Sequence, residues 1–224
     1  LQKTKKYDQA WNKYRIALDK YNRELEKARA TGDDEPDEPS EPEYDAKCDA
    51  LLPVIRGELP AHFHAHRADD IFTAIRIARE FGLRFSIVHC TDGAAIADIL
   101  AAEGVTAFSG PTLSDRSKPE LRSLSFETPG ILDRAGVLIG ITTDHPVIPL
   151  QYLPLCAALA VRAGMDKKAA LRAITINPAK ILGIDSRVGS LEIGKDADFA
   201  VWLGDPLNVM SRPAAVWING KKEA

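Results

Sequence analysis

From residue 57 onward the sequence predicts an α/β protein with a parallel sheet covered by helices. Three observations support this. Short apolar runs alternate with amphipathic helical stretches, the signature of βα units. The helical stretches stop at glycines, which close helices with a left-handed residue. Finally, three residues of types that bind zinc, His64, His89 and Asp144, stand at the ends of three separate apolar runs. In a parallel α/β fold the C-terminal strand ends share one face, so side chains distant in sequence converge there. Imidazole nitrogen and carboxylate oxygen together make a normal ligand set for a catalytic zinc or a related divalent metal.

The elements follow in order. Residues 1–30 read as one amphipathic helix, with Tyr7, Trp11, Tyr14, Leu18, Tyr21 and Leu25 recurring at spacings of three and four. Such a stripe serves either a coiled-coil partner or packing within its own chain. Three heptads rich in aromatics make a poor zipper, which favours the second. Residues 31–56 read as an acidic, proline-rich insertion and a short link. The stretch TGDDEPDEPSEPEYDA carries Pro36, Pro39 and Pro42 and no basic residue, so it repels itself and cannot hold a helix. AHFHAH is the first strand, followed by the helix RADDIFTAIRIAREFG, whose Asp69 and Asp70 suit a helix start. LRFSIVHC, VTAFSGP and GVLIGITTD supply three more strands, with a helix after the first and a long loop plus helix before the last. The α/β segment is assigned to 57–188. Residues 189–224 change texture to GSLEIGKDADFAVWLGDP and PAAVWINGKK, short strands with glycine turns, read as a β-rich appendage.

Composition narrows the function classes. The chain has 224 residues, 45% hydrophobic and 27% charged, ordinary values for a globular protein. A net charge of −3 gives no reason to expect nucleic acid or an acidic membrane surface as partner. No stretch approaches the roughly 18 apolar residues needed to span a bilayer, and no secretory signal is visible. Cys48, Cys90 and Cys156 are widely spaced, which fits reduced cytoplasmic thiols better than a disulfide framework. Cys90, beside His89, reads as a small buried hydrophobe. Residue 1 is Leu, so the expectation is a processed or trimmed piece of something longer.

The stretch ITINPAKILGIDSRVGSLEIGKDADFAVWLGDP resembles the closing signature of the amidohydrolase superfamily, in its imidazolonepropionase-like branch. Within it Asn177 is expected to cap a helix beginning at Pro178. The resemblance covers roughly residues 57–224 and leaves out residues 1–46. It implies the C-terminal half of a (β/α)8 TIM-type barrel, strands five to eight, plus part of a small β-sandwich. It also implies a divalent metal, most often zinc, with manganese or iron as alternatives. The family's strand-five histidine corresponds to His64, its strand-six histidine to His89 and its strand-eight aspartate to Asp144. That aspartate binds metal and handles the proton of the attacking water.

Alternatives stay open at several positions. His62, His64 and His66 share one face of an extended segment, and the resemblance favours His64 as the ligand. His66 is read as a substrate contact or a ligand-orienting group, and His145 as a substrate contact or the start of a loop. Arg67 and Asp70 orient ligands or serve the helix start. Ser109 and Gly110 end a strand and touch substrate. The loop 111–127, with Arg116, Lys118 and Arg122, meets an anionic group or is simply solvated.

The family's first-strand His-x-His pair is missing, because the patterns at 62–66 fall where strand five belongs. A complete barrel takes about 250 residues, and this chain has room for four βα units. The expectation is therefore part of a metal-dependent hydrolase cleaving an amide or cyclic amide C–N bond of a small molecule. A deaminase is the alternative within the same chemistry. From another class comes a catalytically incomplete half-barrel that binds a partner. Exposed sheet edges would be covered by a chain bearing strands one to four or by self-association.

Overall fold

The computed structural model describes residues 1–223 and divides into two compact units. The first comprises Leu1–Leu59 with Glu80–Arg84. Its main element is α1 (Gln2–Thr31), closed by Gly32 in the left-handed conformation (φ 76°). The predicted stripe is half-buried along its length, and the fully buried residues of α1 are Thr4 and Ala28. Tyr7, Trp11 and Tyr14 stack edge-to-face in succession.

The acidic stretch 32–45 has no regular structure, as its prolines dictate. The link after it, however, is not a link. Ala46–Ile55 form a second helix, α2, packed on α1. Asp45 caps it, its carboxylate accepting the backbone N–H groups of Lys47 and Cys48 at 3.0 Å each. Two ion pairs fasten α2 to α1: Lys3 Nζ to Asp45 at 2.5 Å, and the Arg56 guanidinium to Asp8 Oδ1 at 2.6 and 3.0 Å. The acidic run hid the capping aspartate, and Pro53 inside the helix masked its continuity.

The second unit carries the predicted α/β pattern. β1 (Ala61–Ala65), β2 (Phe85–His89), β3 (Thr106–Ser109) and β4 (Leu138–Ile141) form a parallel sheet in sequence order. The row Phe63, Ile87, Ala107 and Ile139 lies in register across it, with the last three fully buried. These residues share one core with Ile71 and Ala74 of α3 (Ala68–Phe81), Leu100 of α4 (Ala97–Ala102) and Leu132 of α5 (Thr128–Ala135). Ala157 of α6 (Leu153–Arg162) and Ala170 of α7 (Lys167–Ala173) complete it. The helices therefore cover one face of the sheet. On the other, the row His64, Val88, Phe108 is exposed or half-buried.

α8 (Ile176–Leu182) corrects the expected capping role of Asn177. The helix already begins at Ile176, with Thr175 before it, so Asn177 lies inside the first turn. Its side-chain N–H donates instead to the Ile139 carbonyl of β4 at 3.0 Å. A competing acceptor at the sheet edge has taken the amide. The last segment forms an antiparallel three-stranded sheet of β5 (Phe199–Leu203), β6 (Arg212–Ile218) and β7 (Lys221–Lys222). Phe199 stacks on its partner in register, Trp217, at 4.7 Å. Residues 189–198, expected among the short strands, form turns closed on themselves. Arg187 pairs with Asp196 at 2.7 Å, and the Asp196 amide donates to the Arg187 carbonyl. Among the described residues no helix is long and apolar enough to cross a membrane.

Candidate metal centre

The C-terminal strand ends bring three histidines together. His64 is the fourth residue of β1, His66 stands just beyond that strand, and His89 is the last residue of β2. One nitrogen from each lies within 4.8 Å of the other two. The His66 and His89 rings stack nearly parallel at 4.4 Å, and His64 meets both edge-on, at 5.0 and 4.3 Å. Alternation along β1 puts His64 and His66 on one face. His89 reaches them because the chain turns there through a left-handed backbone, with φ of 76° at His89 and 49° at Cys90.

The hydrogen bonds decide which nitrogens are free. His89 Nδ1 lies 2.7 Å from the Gly110 carbonyl oxygen. A carbonyl only accepts, so Nδ1 carries the proton and Nε2 keeps its lone pair. His66 Nδ1 is 2.8 Å from the Thr91 hydroxyl, which both donates and accepts, so either ring tautomer satisfies this contact. Burial is the main force lowering the pKa of both rings. That of His66 falls to about 4, with the neighbouring His89 and His64 adding to the effect and Glu120 opposing it. For His89, the Gly110 hydrogen bond and the charge of Asp144 oppose the decrease. Neutral imidazoles with oriented lone pairs are what a divalent metal needs. The donor set fits a zinc-like ion.

The other expected residues fall in distinct places. His62 turns away from the cluster, with Nδ1 2.7 Å from the Ser86 hydroxyl and its ring edge on Phe108. Asp144, three residues past β4, is exposed, holds φ 50° and lies outside the three-histidine group. It is still close enough for its charge to act on His89. His145 is exposed beside it. Ser109 is buried, and Gly110 acts through its carbonyl on His89.

Arg67 is held by Asp69 through two hydrogen bonds, at 2.9 and 3.1 Å, and Asp70 lies in the first turn of α3. Arg116 fastens its own loop by donating to the Leu124 carbonyl at 2.7 Å. Cys90 is buried, its thiol pushed up to about 12, as a small hydrophobe would be. Sequence reasoning missed Thr91. A hydroxyl two residues beyond His89 is its only signal.

Comparison with known proteins fits this geometry. The profile of the Amidohydrolase family matches residues 54–222, and the chain belongs to that family. Amidohydrolase tasK of Hapsidospora irregularis is 28% identical over 182 residues, a match covering 79% of this chain and 18% of tasK. An imidazolonepropionase of Pseudomonas syringae pv. tomato is 32% identical over 170 residues, covering 72% and 39%. The crystal structure of an amidohydrolase from Thermotoga maritima superposes with a TM-score of 0.79 at 42% identity. It covers 94% of this chain and 53% of its own. That match extends past the family profile into the first unit, so the likeness is broader than the sequence resemblance implied. The chain spans about half the length, or less, of these relatives.

Proposed function

We propose that this chain is part of a metal-dependent hydrolase that cleaves the C–N bond of an amide or cyclic amide in a small molecule. The observation that carries the proposal is the convergence of His64, His66 and His89 at the strand ends of a chain belonging to the amidohydrolase family. In this reading β1–β4 are strands five to eight of a (β/α)8 barrel, and β5–β7 are part of a small β-sandwich. Support comes from four parallel strands with helices on one face, and from a match covering 94% of this chain but 53% of the Thermotoga maritima structure.

His64, His89 and Asp144 hold a divalent metal, zinc, manganese or iron. Such an ion supplies Lewis-acid polarisation and lowers the pKa of water toward 7. Asp144 takes the proton of the attacking water on its carboxylate and returns it to the leaving nitrogen. His145, beside it, contacts substrate. Gly110 keeps His89 in the tautomer that leaves Nε2 free.

The test measures hydrolysis of a panel of linear and cyclic amides by the purified chain, with and without added metal. Metal-stimulated turnover abolished by Asp144→Asn supports the reading, and a metal-loaded chain that shows no turnover either alone or with the complementary segment overturns it. One observation favours a second reading, a half-barrel that needs a partner bearing the other strands. His64 is exposed at the end of β1. In that case turnover appears only on adding the complementary segment.

A further inference from the structure

We propose that residues 35–45 form a polyproline II strap that lies antiparallel along α1 and closes over its aromatic stripe. The inference concerns the first unit alone and is independent of the hydrolase reading. It starts from a repeat. Glu35-Pro36-Asp37, Glu38-Pro39-Ser40 and Glu41-Pro42-Glu43 are three successive copies of the pattern Glu-Pro-x. A polyproline II helix has three residues per turn. The repeat therefore puts the prolines on one edge, the glutamates on a second, and Asp37, Ser40 and Glu43 on the third.

Burial follows the same period. Pro36, Pro39 and Pro42 are half-buried, as is Asp45 in step with them, and every other residue from Asp33 to Tyr44 is exposed. A freely solvated loop would not keep that count. The stretch is irregular only in lacking hydrogen bonds: among the described residues, no backbone group from 34 to 44 bonds to another. Polyproline II makes no internal hydrogen bonds either.

Both ends of the run are tied to α1. Arg29 pairs with Glu35 at 2.9 Å near the helix C-terminus, and Lys3 with Asp45 at 2.5 Å near its N-terminus. At 1.5 Å per residue, Lys3 and Arg29 lie about 39 Å apart along α1. From Glu35 to Asp45, polyproline II spans about 31 Å, and the four paired side chains make up the difference. A flexible coil of that length averages only about 16–19 Å. In proportion along the helix, Pro36 falls opposite Leu25, Pro39 opposite Leu18 and Pro42 opposite Trp11, all in the half-buried stripe. Proline rings on an aromatic-lined surface are a recurring mode of recognition. The two ion pairs are largely exposed and contribute little alone, so they set the alignment while the proline edge supplies the burial. Occupied in this way by its own chain, the stripe is withheld from a coiled-coil partner.

The test places spin labels on Ile16→Cys, midway along α1, and Ser40→Cys, midway along the strap, both exposed positions. Cys48, Cys90 and Cys156 are buried and stay unlabelled in the native chain. We expect a single narrow distance distribution by double electron–electron resonance. Replacing Pro36, Pro39 and Pro42 together with Ser should broaden it, while helical circular dichroism stays at the wild-type level. Glu38→Ser with Glu41→Ser, on the exposed edge, should leave it narrow. Pro39→Ser alone serves should the triple variant unfold α1.

A broad distribution in the labelled wild-type chain overturns the strap. A distribution that stays narrow without the prolines overturns the proline edge as what holds it. Equal broadening by the glutamate substitutions overturns the assignment of edges.

Discussion

Replacing Asn177 with Ala should destabilise the second unit by an amount the structure lets one work out. In a parallel ladder, backbone groups of successive residues point to opposite sides. The Thr142 amide donates to Ser109 of β3, so Gly140 shares that direction and Ile139 faces the other, outer edge of β4. The Asn177 side chain satisfies the Ile139 carbonyl there, at 3.0 Å, and both residues are buried. Truncation leaves a buried carbonyl without its partner, at a cost of ~1–3 kcal/mol. For a chain of this size, each kcal/mol lowers the thermal midpoint by about 2–4 °C, so a drop of ~2–12 °C follows.

Urea unfolding followed by fluorescence in a Trp11→Phe background reads the second unit alone, through Trp202 and Trp217. The midpoint should fall with an unchanged slope. Asn177→Asp should be worse, because a carboxylate then faces the carbonyl. If Asn177→Ala lies within ~0.5 kcal/mol of wild type, the edge-satisfying role is refuted.

Other predictions follow from single contacts. A Cβ on Gly110, which sits at φ 132°, would clash with the Thr142 carbonyl oxygen. Gly110→Ala should therefore cost ~1–3 kcal/mol and also weaken metal binding by displacing the carbonyl that orients His89; thermal melts with and without Zn2+ read both. The Lys3 ammonium and the α2 amides hold the Asp45 carboxyl at about 2, below its ordinary 3.8. The folded value is depressed, so its contribution is full above pH 3.8 and is lost as pH falls through 2. Thermal melts of the helical circular dichroism signal between pH 5 and 2 should fall more steeply for wild type than for Asp45→Asn. The thiols of Cys48, Cys90 and Cys156 are all buried, and burial pushes Cys90 to about 12. An aromatic disulfide reagent at pH 8 should release three thiols at once in denaturant and only slowly from the native chain. Equal rates would contradict the burial.

The strands were legible because their apolar runs are short and bounded by glycines that turn up where φ is positive, as Gly82 and Gly104 do. The site was legible in part. Strand ends announce convergence, which placed His64 and His89 together, whereas the distance from Asp144 depends on a left-handed turn that no pattern of apolar residues encodes. His66 was seen but not grouped with them, because period-two alternation cannot separate three histidines on one face. Asn177 and α2 were misread for a shared reason. A side-chain amide or carboxylate has several acceptors or donors in reach, and the winner is set by packing remote in sequence. Asn177 found Ile139 rather than its own helix, and Asp45 found α2 rather than solvent.

The spacing of His62, His64 and His66 has a consequence for how the strand finds its place. A slip of β1 by one residue against β2 would turn every histidine to the wrong face. A slip by two would not, since it carries His62 into the position of His64 opposite Val88 and offers the same imidazole chemistry. The strand is thus nearly self-similar under translation, and its own side chains cannot fix its address. Two hydroxyls on β2 and the turn after it act as keys. Ser86 takes His62, and Thr91 takes His66. Removing both keys would leave alternative alignments of β1 close in energy.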